Sequence, residues 1–232
     1  MPRMIRAIDF ETQGLEPEHR VCEMGWTDLV KDGDGWIITE TGSSLHEVDH
    51  MPPQARAVHH ISAEMTRGFP PFDPAAMWAA AKAEGVDVIA AHNLAFDGGH
   101  IGEPRLPTIC TLKGARRLFV DAPGHGNMVL RYWLEDQSLI SPDPARCEPA
   151  HRAGPDTYVT AHLLQAMLAL TSAAQLVAWT KEPLVFTRWG FGKHRGLTLT
   201  DTPADYLSWV LRSDLDADTK WNAQRELDRR AA

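Results

Sequence analysis

Acidic residues at the ends of apolar segments are the feature that most constrains this sequence. Asp9 and Glu11 end the segment Met4–Thr12, whose apolar pattern predicts a β-strand. Because strand side chains alternate, both carboxylates project from the same face of the predicted sheet. They lie at the carboxyl end of the strand, where α/β proteins form their active sites. Two carboxylates on one face repel each other, so they are either solvated at an edge or part of a charged site.

Two further acidic residues occupy comparable positions. Asp97 follows the apolar run 86–91 through the stretch HNLAFD, and its simplest role is that of an acid favoured by a helix dipole. Asp156 lies in the first turn of a helix predicted to begin near Pro155, on the same stripe as apolar Leu163. An unpaired charge on that stripe is costly, so Asp156 either caps the helix or binds a cation.

His151 precedes Asp156 by five residues, on the loop before the predicted helix. A loop histidine near carboxylates suits a general base, although the chain has eleven histidines and residue type alone is a weak guide. The four carboxylates together suit two divalent cations about 4 Å apart. In such a site one cation activates water and the other stabilises the leaving oxygen of a phosphodiester.

The order of the predicted elements indicates an α/β domain with a mixed sheet. Strands are predicted at 4–12, 21–30 and 36–45, with a hairpin turn in the tract KDGDG between the last two. The elements predicted further along are a helix over 75–84, a strand over 86–91, helices near 95–101, 112–119 and 128–135, and the long helix from Pro155.

Residues 171–183 are predicted to form a boundary between two parts of the chain, 1–175 and 184–232. The second part is predicted to contain a short strand over 184–189, the loop GFGKHRG, and helices over 203–212 and 216–230.

Two groups of residues stand out in that second part. Tyr206, Trp209 and Val210 form one helical stripe, which predicts that they pack a small core. Lys193, His194 and Arg195 lie between glycines that permit close approach of the backbone. The loop is therefore either a phosphate contact or an ordinary solvated turn.

The net charge of −8 follows from 23 Lys and Arg against 31 Asp and Glu. Residues 1–180 hold 14 basic and 23 acidic residues, a net charge of −9, and residues 181–232 hold 9 and 8, a net charge of +1. This balance argues against a protein that coats nucleic acid through a broad basic face. It remains compatible with an enzyme whose acidic residues hold metal ions.

Cysteine usage and hydropathy predict a cytoplasmic, soluble protein. The three cysteines are odd in number and none has CxxC spacing, which argues against a disulfide framework and a zinc ribbon. The first apolar stretch is too short for a signal peptide. Polar residues interrupt the apolar region 159–179, which therefore predicts a buried helix, with no membrane span.

Four stretches of the sequence resemble the motifs of DnaQ-like exonucleases of the DEDDh type. IDFETQGL resembles their opening D-x-E-T-T-G-L, AVHHIS their V-H-G-I segment, AHNLAFD their H-N-x-x-F-D motif, and HRAGPD their H-R-A-x-x-D motif. Order and spacing agree over about residues 1–170. Two departures occur: Gln13 replaces the usual Thr, and His60 replaces the usual Gly.

The resemblance implies an RNase H-like fold, a mixed β-sheet flanked by helices, that removes nucleotides from 3′ ends. By motif position, the ligands of two Mg²⁺ or Mn²⁺ ions would be Asp9, Glu11, Asp97 and Asp156. His151 would be the general base. The residues expected to line or support the site of the 3′-terminal nucleotide are Phe10, Thr12, Leu15, His59 and Asn93, with Leu15 wedged against the last base.

The tail WGFGKHRGLTLTDTPADYLSWVLR resembles the small C-terminal module of exodeoxyribonuclease X-like proteins. The resemblance implies that the partner is DNA with a free 3′ end, with a preference for single-stranded ends. The basic loop predicts that Lys193 and Arg195 contact this DNA. RNA is an alternative substrate, as in RNase T-like or oligoribonuclease-like relatives, and a non-catalytic binding adaptor is a further alternative. RNase T-like relatives also suggest a homodimer.

Overall fold

A five-stranded mixed sheet lies at the centre of the fold. The structure, a computed structural model, describes residues 2–16 and 18–231. Within these ranges the strands are β1 (Met4–Thr12), β2 (Val21–Asp32), β3 (Gly35–Leu45), β4 (Val88–Ala91) and β5 (Thr108–Cys110). The helices are α1 (Pro53–His59), α2 (Pro74–Ala83), α3 (Leu94–Ile101), α4 (Thr111–Leu118), α5 (Asn127–Asp136), α6 (Ala153–Leu170), α7 (Ala173–Lys181), α8 (Ala204–Arg212) and α9 (Ala217–Ala231).

The strand order is β3-β2-β1-β4-β5, which puts β1 in the middle of the sheet. β2 is antiparallel to both β1 and β3, whereas β4 is parallel to β1 and β5. The hairpin between β2 and β3 turns at Gly33, whose φ of 54° lies in the region that favours glycine. The predicted α/β fold with a mixed sheet and flanking helices is confirmed.

β1 is buried on both faces, and the alternation of its side chains decides which face carries its acidic residues. Ile5 and Ala7 belong to the core that packs against α6, whereas Ile8 belongs to the core on the opposite face. Because side chains alternate along a strand, Asp9 and Glu11 share the face of Ile5 and Ala7. The two carboxylates therefore lie on the side of the sheet that α6 covers.

The first turn of α6 approaches β2 at a glycine. Gly25 pairs with Asp9 in the register of β1 and β2. A Cβ atom at position 25 would lie 2.1 Å from the carbonyl oxygen of Ala153 and 2.6 Å from the backbone nitrogen of Gly154. Only glycine permits this contact, which holds the start of α6 over the end of β1.

A buried ion pair holds the same turn against β2. Glu23 is 1% exposed and accepts hydrogen bonds from Nε and Nη2 of Arg152, at 2.8 and 2.7 Å. Its Oε2 also accepts from the backbone N–H of Ala153, at 3.1 Å. This N–H lies in the first turn of α6, where it has no partner within the helix. Glu23 therefore fixes both the position and the direction of the helix start.

Most predicted elements are present with ends displaced by a few residues, but α1, β5 and α7 were not predicted. α1 begins at Pro53, and a proline in the first helical position was a usable signal. The apolar region 159–179 contains two helices, because Ser172 caps a new helix by accepting from the N–H of Gln175. Residues 184–189 form no regular strand, only an isolated bridge between Arg188 and Thr198, so that prediction was wrong.

A separate small core lies in the C-terminal part of the chain. Its buried residues are Trp189, Leu199, Leu207, Val210 and Ala223. Val210 is buried as predicted and Tyr206 packs at the edge of this core. Trp209 is 48% exposed, so its predicted core role was wrong. The division of the chain at residues 175 and 184 stays a prediction.

Among residues 2–16 and 18–231, no single helix is long and apolar enough to cross a membrane. Taken together, α6 and α7 are long and apolar enough to cross one, but the pair is bent by 108° at the break between them.

Cys22, Cys110 and Cys147 are buried free thiols.

Replacing Gly25 by alanine should lower the free energy of unfolding by about 3 kcal/mol, because the new methyl group would overlap the backbone of α6. Urea denaturation would measure the change. Gly35→Ala is the matched control, since a Cβ there meets only one atom, at 3.6 Å, and should change stability by less than about 0.5 kcal/mol. Equal effects of the two substitutions would contradict the close approach at Gly25.

Candidate active site

A cavity of about 600 Å³ opens at the carboxyl end of β1. Its walls come from β1 and the loop after it, from α1, from the β4–α3 connection and from the start of α6. The residues that line it are Asp9, Phe10, Glu11, Thr12, Gln13, Gly14, Leu15, Gln54, Ala55, Val58, His59, His92, Asn93, Phe96, His151 and Asp156. Residues far apart in sequence therefore meet in one space, next to the two carboxylates of β1.

Three carboxylates form a tight cluster on one wall of this cavity. One oxygen of each of Asp9, Glu11 and Asp156 lies within 4.8 Å of the others. The fourth predicted carboxylate, Asp97, is not among the lining residues and is only 1% exposed. Its charge nevertheless acts on Asp9, so all four acidic residues belong to one electrostatic group.

Burial and mutual repulsion disfavour the ionised forms of these carboxyls. Burial, followed by repulsion from Asp97 and Asp156, raises the pKa of Asp9 well above its ordinary value. Burial, and then the charges of Asp156 and Glu23, raise the pKa of Glu11 to about 8. Burial raises the pKa of Asp97 to about 8. Burial also raises the pKa of Asp156 to about 6, although His151 opposes that shift.

The donor atoms of this cluster fit divalent cations. Oδ1 of Asp97 and Oδ1 of Asp156 are buried and have no hydrogen-bond partner among the described residues. A buried carboxylate oxygen without a partner is costly in a protein interior. Clustered carboxylate oxygens are also the ligands that Mg²⁺ and Mn²⁺ prefer. Asp9, Glu11, Asp97 and Asp156 could therefore hold such ions.

His151 lies at the mouth of the cluster, on the loop that enters α6. Its backbone N–H donates to Oδ2 of Asp156 at 3.1 Å, which ties the loop to that carboxylate. The residue has a φ of 59°, an uncommon value for a residue other than glycine. Its side chain lines the cavity while the ring remains solvent-accessible. The arrangement suits a group that exchanges a proton with a water molecule in the cavity.

His59, the last residue of α1, lines the cavity and contacts the end of β1. Its Nδ1 accepts from the backbone N–H of Ile61 at 3.0 Å, so a neutral ring carries its proton on Nε2. That nitrogen lies 3.3 Å from the carbonyl oxygen of Thr12 and donates to it. Burial lowers the pKa of His59, which favours this neutral form. His60 ends α1 with a φ of 62°, where glycine is the usual residue.

Apolar side chains form much of the remaining lining of the cavity. Phe10, Val58 and Phe96 contribute to it, and Leu15 projects at the rim with 82% of its side chain exposed. Asn93 begins α3 in the left-handed conformation that Asn tolerates, with a φ of 66°. An apolar surface beside an anionic cluster suits a ligand with a planar or apolar group next to a charged one.

Sequence reasoning missed several residues of this site. Gln54 and Val58 line the cavity from the unpredicted helix α1. His92 belongs to the stretch AHNLAFD but was not singled out; burial lowers its pKa to about 4, and its Nε2 lies 2.9 Å from the carbonyl oxygen of His125. Glu23 and Gly25 position the site without lining it. Their burial in β2 is the only sign of this role, and it is visible only in the structure.

Lys193 and Arg195 do not line the cavity. They lie in an exposed loop beside the C-terminal core, and their predicted substrate contacts stay a prediction.

Comparison with known proteins agrees with this geometry. A family model described as Exonuclease matches residues 7–164, more than half of the chain. The chain belongs to the exonuclease family. Exodeoxyribonuclease 10 of Escherichia coli (strain K12) is 30% identical over 217 residues, which cover 90% of this chain and 91% of that protein.

Solved structures show the same fold as this exonuclease. Exonuclease X in complex with 5′ overhanging duplex DNA has a TM-score of 0.58 and 29% identity, and the match covers 76% of this chain and 99% of that one. E. coli Exonuclease I in complex with a dA16 oligonucleotide has a TM-score of 0.55 at 14% identity, covering 93% and 61% of the two chains. The RNase H-like fold and a nuclease activity follow from family membership, and the acidic cluster is consistent with the divalent metals used in this family.

The affinity of the exonuclease for Mn²⁺ should rise steeply between pH 6 and pH 8. With pKa values of about 8, Glu11 and Asp97 are protonated at pH 6 in the metal-free protein, whereas a carboxyl must be ionised to bind a cation. For each carboxyl that must lose a proton on binding, the Mn²⁺ affinity should rise roughly tenfold per pH unit at pH values below the pKa of that carboxyl. Calorimetry in two buffers of different ionisation enthalpy would count the protons.

The Glu11→Gln variant should release about one proton fewer when it binds Mn²⁺, because it removes one of the carboxyls whose pKa is raised. Glu103→Gln, an exposed glutamate elsewhere, is the control and should leave the proton count unchanged. A Mn²⁺ affinity that does not vary between these pH values would contradict the raised pKa values.

Proposed function

We propose that this exonuclease is a metal-dependent 3′–5′ exodeoxyribonuclease, which hydrolyses the last phosphodiester bond at a DNA 3′ end and releases a 5′-mononucleotide. The observation that carries the proposal is the cluster of Asp9, Glu11 and Asp156 in a cavity that is also lined by apolar side chains. The apolar lining suits the terminal base and sugar, and the carboxylate cluster suits the cations that a phosphodiester needs. The resemblance to Exodeoxyribonuclease 10 supports DNA as the substrate.

Asp9, Glu11, Asp97 and Asp156 would hold two divalent ions, Mg²⁺ or Mn²⁺. When bound, such ions stabilise charge that develops on phosphate oxygens and lower the pKa of water. Bound cations would offset the burial and the mutual repulsion that raise the pKa values of Asp9 and Glu11. The chain would therefore contribute a clustered set of carboxyl ligands, kept in place by the contacts of β2 with the start of α6.

His151 would act as the general base that removes a proton from the attacking water. Its backbone hydrogen bond to Asp156 keeps it beside the cluster, and His151 is an exposed residue, so the proton would pass to solvent. The terminal nucleotide would be positioned by Phe10, Thr12 and Leu15, with Leu15 against the last base. The lining around it would be supported by His59 and Asn93. His59 does so through its hydrogen bond to the carbonyl of Thr12.

The residues with a proposed catalytic role all belong to one site, which favours an enzyme over a non-catalytic adaptor. A cytoplasmic location and a homodimer stay predictions.

Replacing His151 by alanine should lower kcat roughly 10²- to 10⁴-fold, the usual contribution of a general base, and should change the affinity for DNA much less. Single-turnover kinetics on a 3′-labelled strand, combined with binding measured at equilibrium, would separate the two effects.

Asp9→Asn is the companion variant. It removes one metal ligand with little change of side-chain volume, so turnover should be lost while the thermal unfolding transition is retained.

Equal losses of kcat and affinity in His151→Ala would mean that this residue mainly binds the substrate. Turnover of Asp9→Asn at the rate of the unmodified chain would refute the metal site.

A single assay should show faster hydrolysis of DNA than of RNA. Labelled single-stranded DNA, duplex DNA with a 5′ overhang, and single-stranded RNA of matched sequence would be compared with Mg²⁺ and with Mn²⁺. The overhanging duplex is included because Exonuclease X was solved with DNA of this kind. Preferred hydrolysis of RNA would favour the exoribonuclease alternative and reject DNA as the main substrate.

A further inference from the structure

A group of exposed aromatic side chains lies in the C-terminal part of the chain. Phe191, Tyr206 and Trp209 form what we call the aromatic patch. Phe191 is 37% exposed, Trp209 is 48% exposed and Tyr206 is half-buried. None of the three lines the cavity beside the acidic cluster. Exposed aromatic side chains grouped around one buried ring, here Trp189, mark a binding site more often than an isolated apolar residue does.

The rings of the aromatic patch are held in place from behind. Trp189 is 1% exposed, and its ring centroid lies 5.9 Å from that of Phe191 and 5.8 Å from that of Tyr206, edge-on to both. Its Nε1 donates to Oγ1 of Thr202 at 2.7 Å, which fixes the indole. The rings of Tyr206 and Trp209 lie 5.2 Å apart with an angle of 31° between their planes. The patch is therefore preorganised, and little side-chain entropy is lost when a ligand stacks on it.

The segment that carries these rings has an excess of positive charge. Residues 188–212 contain four basic residues and two acidic ones, Asp201 and Asp205, a net charge of +2, whereas residues 1–180 carry a net charge of −9. Lys193 and Arg195 are exposed, and within the described ranges 2–16 and 18–231 neither side chain makes an ion pair or hydrogen bond. Gly192, with a φ of 72°, brings the loop against Tyr206, where a Cβ would lie 2.7 Å from the hydroxyl oxygen. Lys193 and Arg195 therefore lie in the loop that contacts Tyr206.

We propose that the aromatic patch, with Lys193 and Arg195, binds single-stranded DNA at a second contact outside the cavity. Aromatic rings that stack on bases, next to cations that meet phosphates, are the means by which proteins hold single strands without sequence preference. This inference rests on the proposed action on DNA and adds a site to it.

The segment 182–186, which leads into this part of the chain, is held from both sides. Lys113 and Arg117 of α4 donate to its carbonyl groups. Asp218 and Asn222 of α9 bind the backbone of its second half. The aromatic patch is thereby tied to the domain that contains the cavity. A strand long enough to reach both sites gains affinity, since the second contact is made within one complex.

Trp209→Ala and Phe191→Ala should weaken the handling of long strands selectively. Steady-state hydrolysis would be compared for a strand of about 20 nucleotides, longer than the roughly 4–16 that one binding fold covers, and for a trinucleotide. The ratio of kcat/KM for the long strand to that for the trinucleotide should fall about tenfold for each variant, the loss expected for one stacked base. Trp209→Phe should recover most of the ratio, because it keeps a ring.

Tyr132→Ala is the matched control, since Tyr132 is 50% exposed on α5 and should not alter the ratio. An unchanged ratio in the Trp209 and Phe191 double variant would overturn the proposal and leave the exonuclease intact. If the unmodified chain hydrolysed neither substrate, the proposed function would fail. Fluorescence anisotropy of a labelled long strand in EDTA would then still test the aromatic patch. Loss of binding in Trp209→Ala would support the proposed second contact. Unchanged binding would overturn it. Dissociation of a dimer by Trp209→Ala without any change in DNA affinity would also overturn it.

Discussion

The close approach of the first turn of α6 to β2 is the contact on which the candidate site depends. Gly25 leaves the space that the backbone of Ala153 occupies, and Glu23 holds Arg152 and the N–H of Ala153 from the same strand. Because Gly25 pairs with Asp9 in the sheet, the helix begins directly over the end of β1. A helix start shifted by one turn, about 5.4 Å, would separate Asp156 from the carboxylates of β1.

The site that results is electrostatically unfavourable without a counter-charge. Burial and mutual repulsion raise the pKa values of its carboxyls, and two of their oxygens have no partner among the described residues. Packing in the rest of the domain must offset this cost. The α6 side of the sheet supplies that packing, with Ile5, Ala7 and Leu163 buried in one continuous core. Affinity for cations is thus built into the fold at the expense of the metal-free protein.

Patterns along the chain predicted most of the elements, and the exceptions have physical reasons. β1 was predicted with its observed ends because its apolar residues continue up to the acidic pair. α7 was missed because the break after α6 depends on a single capping residue, Ser172, inside an apolar region. The strand predicted over 184–189 does not form because the backbone of that segment binds side chains of α4 and α9 in place of a neighbouring strand. Trp209 was assigned to a core from its helical spacing, but the small core is filled by Trp189 and Val210 on its inner side.

The sequence by itself determined the fold class, the four acidic positions and the histidine before α6, because periodicity and short motifs are local properties of a chain. It also located the charge, with the acidic excess confined to residues 1–180. Tertiary structure alone decided that Gly25 and Glu23 hold the site together and that α1 forms one of its walls. It also decided that the rings of Phe191 and Trp209 face solvent. These properties depend on which distant segments meet across the sheet, and no pattern within one segment specifies that.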